Sequence, residues 1–398
     1  MSKIAQHTAV LQLHLGLPAL YPRGTRKGLK MKDILLIGAG KIGEMIASLL
    51  TSTGDYRVTV ADRSPERLQA FAASPRLLRL VLDATDETKL APAMAGKFAV
   101  LSAVPYNITR HIATAARAAN VHYLDLTEDV AMTKHVKALS AGASSAFIPQ
   151  CGLAPGFISI VANDLAAGFE KLDAVRMRVG ALPQYPSNGL NYNMTWSTDG
   201  VINEYLQPCE AIVDGALHEV PPLEELEEFS LDGIRYEAFN TSGGLGTLCE
   251  TLAGKVRLLN YKTVRYPGHR DIMKVLIQDL RLGERRELLK DILENALPAT
   301  MQDVVLVFVA VSGTKGGRYL QESYVSKIYG APVAGVARSA IQITTAAGIC
   351  AVLDLLVQGV LPRHGLVRQE EIPLQTFLAN RFGRAYATSP EQHVSKVA

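Results

Sequence analysis

Three glycines at fixed spacing, in Gly38-Ala39-Gly40-Lys41-Ile42-Gly43, constrain the fold of this chain more than any other feature. They follow the apolar run 34–37 and open the helically spaced segment 41–52. A strand that turns directly into a helix through such a loop starts a βαβ unit that can hold a dinucleotide. Gly38 allows the tight turn, and Gly40 lets backbone approach a pyrophosphate. Gly43 lets the helix pack close to the strand, and the helix N-terminus attracts phosphate charge. Lys41 and Ile42 complete this candidate cofactor loop.

The same alternation continues. Strands are expected at 58–61, 80–82, 98–103, 121–126 and 146–149, with helices at 65–73 and 109–119. Short connections between such elements imply a doubly wound parallel sheet, so residues 31–154 read as a Rossmann domain of the α/β class. After Pro155-Gly156 the texture changes. Segments 175–179 and 190–197 alternate like half-exposed strands, and 211–221 reads as a hairpin turning at Asp214-Gly215. A second hairpin joins 300–311 to 318–327 across 312–317. These predict an inserted α+β domain with a mixed or antiparallel sheet over residues 155–333. A helix over 334–361 then opens a C-terminal segment, 334–398, expected to pack back on the first domain. Its Gln342, Thr344, Thr345, Asp354 and Gln358 would be costly in lipid, which favours a buried helix over a membrane span.

Across 398 residues the formal net charge is only +3, and no basic block is interleaved with aromatics. Nucleic acid and membrane surfaces are therefore not expected partners. Cys151, Cys209, Cys249 and Cys350 are scattered without a CxxC, so neither a metal site nor a disulfide framework is expected. Free buried thiols fit a reducing, cytoplasmic setting. Residues 1–30 carry Lys3, Arg23, Arg26, Lys27 and Lys30 but no acid. With Met31 directly before the first strand, they read as an upstream extension or disordered arm rather than a targeting signal.

Asp62 ends the second strand, where its carboxylate can accept both hydroxyls of an adenosine ribose and repel a 2′-phosphate. This favours NAD. Arg63 and Arg67, either of which can pair with that phosphate, leave NADP open. Asp83-Ala84 ends the third strand on the adenine side, and Ala103-Val104-Pro105 ends the fourth on the nicotinamide side.

Far downstream, Lys262, Arg265 and His269 gather around the turn Pro267-Gly268. Together with Gly38–Gly43, Gly152–Gly156, Arg178–Pro183, Asn191-Tyr192 and Thr241–Leu245, this segment resembles the saccharopine dehydrogenase-like superfamily, and within it the lysine 6-dehydrogenase branch. The resemblance covers residues 31–361. It implies a Rossmann domain with an inserted mixed-sheet domain, and NAD-linked oxidation of an amino-acid amine or a secondary amine in a homodimer.

Hydride leaves a carbon only when the attached nitrogen is a neutral amine, so the site needs a proton acceptor. His269 titrates nearest neutrality and is preferred over Lys262, which could serve if desolvated; Asp125, at the end of the fifth strand, is a third candidate. Arg265 suits a substrate carboxylate. Thr241-Ser242-Gly243-Gly244 can form an anion nest, and Tyr106, Asn191, Tyr192 and Trp196 can line the pocket. The reaction expected is oxidative deamination of the ε-amine of L-lysine. The alternatives are a saccharopine or carboxy(nor)spermidine-type dehydrogenase and a non-catalytic dinucleotide sensor.

Overall fold

The computed structural model describes residues 30–387, residue 73 excepted. The expectation for an N-terminal arm lies outside the described residues, as do residue 73 and the last part of the C-terminal segment.

β1 (Lys32–Ile37) is buried from Ile34 onward because helices cover both faces of its sheet. It pairs in parallel with β2 (Tyr56–Asp62), which pairs with β3 (Leu77–Val81). On its other side follow β4 (Ala99–Ser102), β5 (His122–Asp125) and β6 (Ala146–Ile148), all parallel. The resulting order, β3-β2-β1-β4-β5-β6, reverses direction between β1 and β4, and that switch point opens a crevice at the strand C-termini. The helix expected from residue 109 begins earlier, at Tyr106, directly after Pro105.

The second sheet is built on the long strand β7 (Lys171–Pro183). Next in the chain come the hairpin β8 (Cys209–Val213) and β9 (Ala216–Val220), then β10 (Glu227–Leu231) and β11 (Ile234–Asn240). β12 (Leu258–Arg265), β13 (Asp303–Lys315) and β14 (Arg318–Tyr329) complete it. The main order is β10-β11-β12-β7-β13-β14, with β7 and β12 the parallel pair in an otherwise antiparallel sheet. Residues 190–197 do not form the expected strand. Asn191 takes a left-handed backbone, and Met194 makes a single bridge to Ala299. Tyr192 packs into a small core with Val201 and Ile202, Thr195 looks into the crevice, and Met194 and Trp196 lie between the two, touching both.

After the short hairpin β15 (Ala331–Val333) and β16 (Val336–Arg338), the chain returns to the first sheet. The helix Ala340–Val357 runs between the two sheets, and every residue on it is buried except Thr345. It is long and apolar enough to span a membrane by composition alone, but it is buried within the protein. One apolar core holds residues from β1, β2, β7 and β13 around it. Its Asp354 accepts from the Tyr56 hydroxyl at 2.6 Å, Asn380 Nδ2 at 2.8 Å and Arg381 at 2.7 Å, so the buried charge is both paired and hydrogen-bonded. Finally β17 (Gly365–Leu366) pairs with β6 and becomes the seventh strand of the first sheet.

Candidate active site

A cleft of about 720 Å³ lies at the switch point, between the ends of β1 and β4 on one side and β12 with residues 194–204 on the other. Its first half is the glycine loop. Gly38 has φ +113°, and a Cβ there would overlap the Ala103 carbonyl. At Gly43 a Cβ would overlap the Gly38 carbonyl, so these two positions are closed to side chains. Gly40 differs: a Cβ on it meets no protein atom within 4 Å, which leaves an open surface above its backbone. Asp62 accepts from Ala39 N at 2.8 Å and from Ser64 N at 2.9 Å, so its carboxylate is held at the rim of the loop. Gly38, Gly40, Lys41, Ile42, Asp62, Arg67 and Ala103–Pro105 all line the cleft, and this set fits a dinucleotide. Arg63 is exposed and does not line it. Asp83 and Ala84 do not line it either; Asp83 accepts from its own neighbour Thr85.

The other half depends on strand alternation. On β12, Tyr261, Thr263 and Arg265 face the cleft, so Lys262 and Val264 must face away. Lys262 donates to the Glu225 carbonyl at 2.6 Å and approaches Glu227 at 3.3 Å, and Glu227 also pairs with Arg178. Lys262 therefore supports the far face of the sheet, and its expected part in proton transfer is corrected.

Arg265 is 2% exposed. Its Nη1 donates to Thr263 Oγ1 at 3.0 Å and to the Val264 carbonyl at 2.8 Å, and its Nε donates to the Tyr205 hydroxyl at 3.0 Å. The guanidinium also stacks over the Tyr192 ring, 4.9 Å from its centroid. Nη2 remains for a ligand. Tyr192 is thus a support for Arg265 and does not itself line the cleft.

His269 sits behind this arginine. Its Nδ1 is 2.9 Å from the Leu190 carbonyl and its Nε2 is 3.0 Å from the Tyr205 hydroxyl. A carbonyl only accepts and Arg265 only donates, so the hydrogen positions follow: Nδ1 carries the proton, and Tyr205 donates to Nε2. Burial, with Arg265 nearby, pushes the His269 pKa down to about 3. The ring is neutral, saturated and outside the cleft lining, so it is a positioning residue and not the proton acceptor.

Asp125 is also withdrawn from the cleft. It accepts from the Tyr123 hydroxyl at 2.7 Å, Thr127 N at 3.1 Å and Gln150 N at 2.8 Å, and is fully buried. Burial raises its pKa to about 6 against those hydrogen bonds. Its part is to pin the loop that carries Thr127 and Glu128. The expected nest at Thr241–Gly244 is absent from the lining too. A Cβ on Gly243, which has φ +84°, would overlap the Glu128 carbonyl, and one on Gly244 would overlap the Tyr261 ring. These glycines let a loop press against the back of the site. Tyr106 and Trp196 do line the cleft, whereas Asn191 is spent on the Pro267 carbonyl at 3.2 Å.

Two acids that sequence reasoning passed over face the cavity. Glu204 is 6% exposed, and burial pushes its pKa up to about 8, with Arg265 opposing the rise and Glu128 adding to it. Glu128 is raised to about 7 by burial, with the Asp129 and Asp125 charges adding. Glu204 was legible as an acid on the apolar stripe of the helix Thr198–Leu206, three residues after buried Val201. Glu128 carried no such signal. Among the described residues, Arg265 shares the cleft lining with Glu128, Glu204, Asp199 and Glu294; Glu204 is the acid whose charge acts on Arg265, and Asp199 pairs with Lys290 at 2.6 Å. Groups titrating near neutrality beside a fixed cation can exchange a proton with a ligand and hold its anionic end.

Residues 34–148 match the saccharopine dehydrogenase NADP binding domain, and residues 152–383 match the saccharopine dehydrogenase C-terminal domain. A 195-residue stretch is 24% identical to saccharopine dehydrogenase (NADP+, L-glutamate-forming) of Saccharomyces cerevisiae, covering 48% of this chain and 44% of that protein. Over 320 residues the chain is 22% identical to the mitochondrial alpha-aminoadipic semialdehyde synthase of Bos taurus, covering 75% of this chain and 33% of that one. The chain thus spans less than half the length of these curated relatives. In fold it is similar to apo saccharopine dehydrogenase (L-Glu forming) from S. cerevisiae, with a TM-score of 0.68 at 17% identity over 89% of this chain and 96% of that one. It is also similar to the NAD complex of a homospermidine synthase from Legionella pneumophila, with a TM-score of 0.61 at 12% identity over 92% and 91%. Both halves of the cleft fall within the two matched regions, and the chain belongs to the saccharopine dehydrogenase family, with an NAD(P)-binding Rossmann domain.

Proposed function

We propose that this protein is an NAD(P)-dependent dehydrogenase that oxidises the ε-carbon of L-lysine and releases ammonia. The observation that carries this reading is the charge pattern of the cleft: one arginine, Arg265, among Glu128, Glu204 and Glu294, opposite the glycine loop, with a fourth acid, Asp199, already paired to Lys290 at 2.6 Å. A ligand matched to that wall has one carboxylate and otherwise positive charge, as lysine does. Arg265 and its neighbour Glu204 suit the carboxylate and α-ammonium of an amino-acid head group. The nicotinamide, when bound, supplies the hydride acceptor; the glycine loop and Asp62 hold its dinucleotide, with NAD favoured by that carboxylate. Water adds to the resulting imine, ammonia leaves, and the semialdehyde cyclises to piperideine-6-carboxylate. The four free, buried cysteines support a reducing, cytoplasmic setting, and the homodimer stays part of the proposal.

Incubation of the purified protein with lysine and NAD should give NADH absorbance and ammonia in equal amounts. NADH without ammonia would exclude deamination. A second reading is a saccharopine or carboxy(nor)spermidine-type dehydrogenase acting on a secondary amine, and its first member is favoured by the similarity to a saccharopine dehydrogenase. Saccharopine, an adduct of two amino acids, carries further carboxylates, for which the substrate half offers no second cation among the described residues; a carboxy(nor)spermidine carries one carboxylate on a polyamine, and the charge of that wall does not select against it. NADPH oxidation that requires an aldehyde and an amine together would select it. One screen of lysine, ornithine, saccharopine and polyamine adducts with both cofactors separates the two.

A further inference from the structure

Three groups were expected to take the substrate proton, and none of them lines the cleft. Lys262 is on the far face of the sheet, His269 is locked behind Tyr205, and Asp125 is saturated by three donors. The reaction still needs an acceptor, because an ammonium nitrogen has no electron pair with which to expel hydride from its carbon.

Glu128 is placed for that task by strand register. β4 and β5 are parallel neighbours, with Ser102 paired to Asp125. The residues just beyond each, Ala103–Tyr106 and Leu126–Glu128, therefore emerge side by side on the same wall of the cleft, and all of them line it. Glu204, by contrast, projects from the opposite domain beside Arg265. Glu128 is also held without being used up. Asp125 fixes Thr127 N at 3.1 Å, Thr127 Oγ1 accepts from Asp129 N at 3.3 Å, and Gly243 presses against the Glu128 carbonyl. The backbone is thus clamped on three sides, while among the described residues the carboxyl's one hydrogen bond is to its own backbone N–H.

We propose that the Glu128 carboxylate takes the proton from the substrate ammonium at the carbon that is oxidised. One N–H bond breaks, one O–H bond forms on Glu128, and the electron pair stays on nitrogen. The inference rests on the amine-oxidising function proposed above. The charged groups around Glu128 are Asp125 and Asp129 on its own loop and Glu204 on the helix Thr198–Leu206; Arg265 faces Glu204. The pKa values of Asp125 and Glu204 are themselves raised, to about 6 and about 8, so an entering cation is favoured by drawing out the ionised forms of these acids. Its burial keeps the Glu128 carboxyl titrating at about 7, nearer neutrality than an ordinary glutamate.

The test uses the full chain, with Glu128→Gln and Glu128→Asp as variants. Wild type should show kcat/KM rising with pH through the Glu128 titration. E128Q should lose about a hundredfold or more in kcat and lose that pH dependence, while E128D should retain part of both. The second readout is lysine binding by calorimetry at pH 6.5 in buffers of different ionisation enthalpy. Wild type should release a proton as the ammonium displaces it from Glu128, and E128Q should release less. Unchanged melting temperature and cofactor affinity in E128Q will separate chemistry from folding. If an amine from the screen turns over and E128Q keeps wild-type kcat, pH profile and proton release, this assignment is overturned alone. If no amine binds or reacts, it falls together with the proposed function.

Discussion

Tyr205 and His269 share a hydrogen bond of 3.0 Å whose direction is set from both ends. Arg265 Nε must donate to the Tyr205 oxygen, and the Leu190 carbonyl must accept from His269 Nδ1, so the one remaining hydrogen runs from the tyrosine to Nε2. A second proton on the ring would face the hydroxyl hydrogen and break this chain. The folded-state pKa, about 3, therefore lies below the ordinary 6.5. Between those values the unfolded chain binds a proton that the folded chain does not. The stability from His269 is complete above pH 6.5 and is lost as pH falls towards 3, by at most about 1.4 kcal/mol per pH unit. In urea titrations the stability gap between wild type and His269→Asn should narrow from pH 7 to pH 5. A gap that stays constant would mean that the imidazole is not held neutral.

Gly40 and Gly43 should separate cofactor affinity from stability. A methyl at Gly40 meets no protein atom, so G40A should melt within a degree or two of wild type yet bind NAD(P) about tenfold more weakly, as judged by fluorescence titration. At Gly43 the methyl would overlap the Gly38 carbonyl, so G43A should lose several degrees in melting temperature even without ligand. Equal effects on melting at the two sites would contradict the open surface assigned to Gly40.

Arg265→Lys keeps the charge but cannot reproduce bonds to Thr263, Val264 and Tyr205 while also offering Nη2 to a ligand. KM for the amino-acid substrate should rise by about 10- to 100-fold, the loss of a charged hydrogen bond, with a smaller change in kcat. A lysine variant with unchanged KM would remove Arg265 from the substrate site.

Lys262→Met should leave kcat/KM within about twofold of wild type, because the side chain points away from the cleft. It leaves the Glu225 carbonyl without its donor and weakens the Arg178–Glu227 cluster, so it should cost about 1–3 kcal/mol in denaturant titrations. A large loss of kcat at wild-type stability would return Lys262 to the chemistry.

Much of the fold was legible because it depends on local pattern. The glycine loop, the parallel strands through residue 148 and the hairpin at Asp214-Gly215 all come from periodicity and turn chemistry. The returning helix was expected, but not the edge strand β17, because two residues give no periodic signal. Site residues were harder to identify. Lys262, Arg265 and His269 look alike as a sequence cluster, yet strand alternation turns one away, burial neutralises another, and only Arg265 reaches the cavity. Glu128 and Glu204 come from loci 76 residues apart (204 − 128), brought together by domain packing that no local pattern encodes.

The buried helix Ala340–Val357 ties together segments far apart in the chain. On the helix itself, Asp354 accepts from Tyr56 across 298 residues; from the segments before and after it, Arg338 bonds to Glu44 across 294 and Arg381 to Asp55 across 326. Closing loops of that length costs entropy before any contact repays it, so these contacts raise the contact order of the fold, and slow folding is the expected outcome. While that search lasts, the inner flanks of both sheets stay uncovered and open to intermolecular association. Yield after refolding is thus a race between loop closure and aggregation, and dilution will favour the monomolecular route.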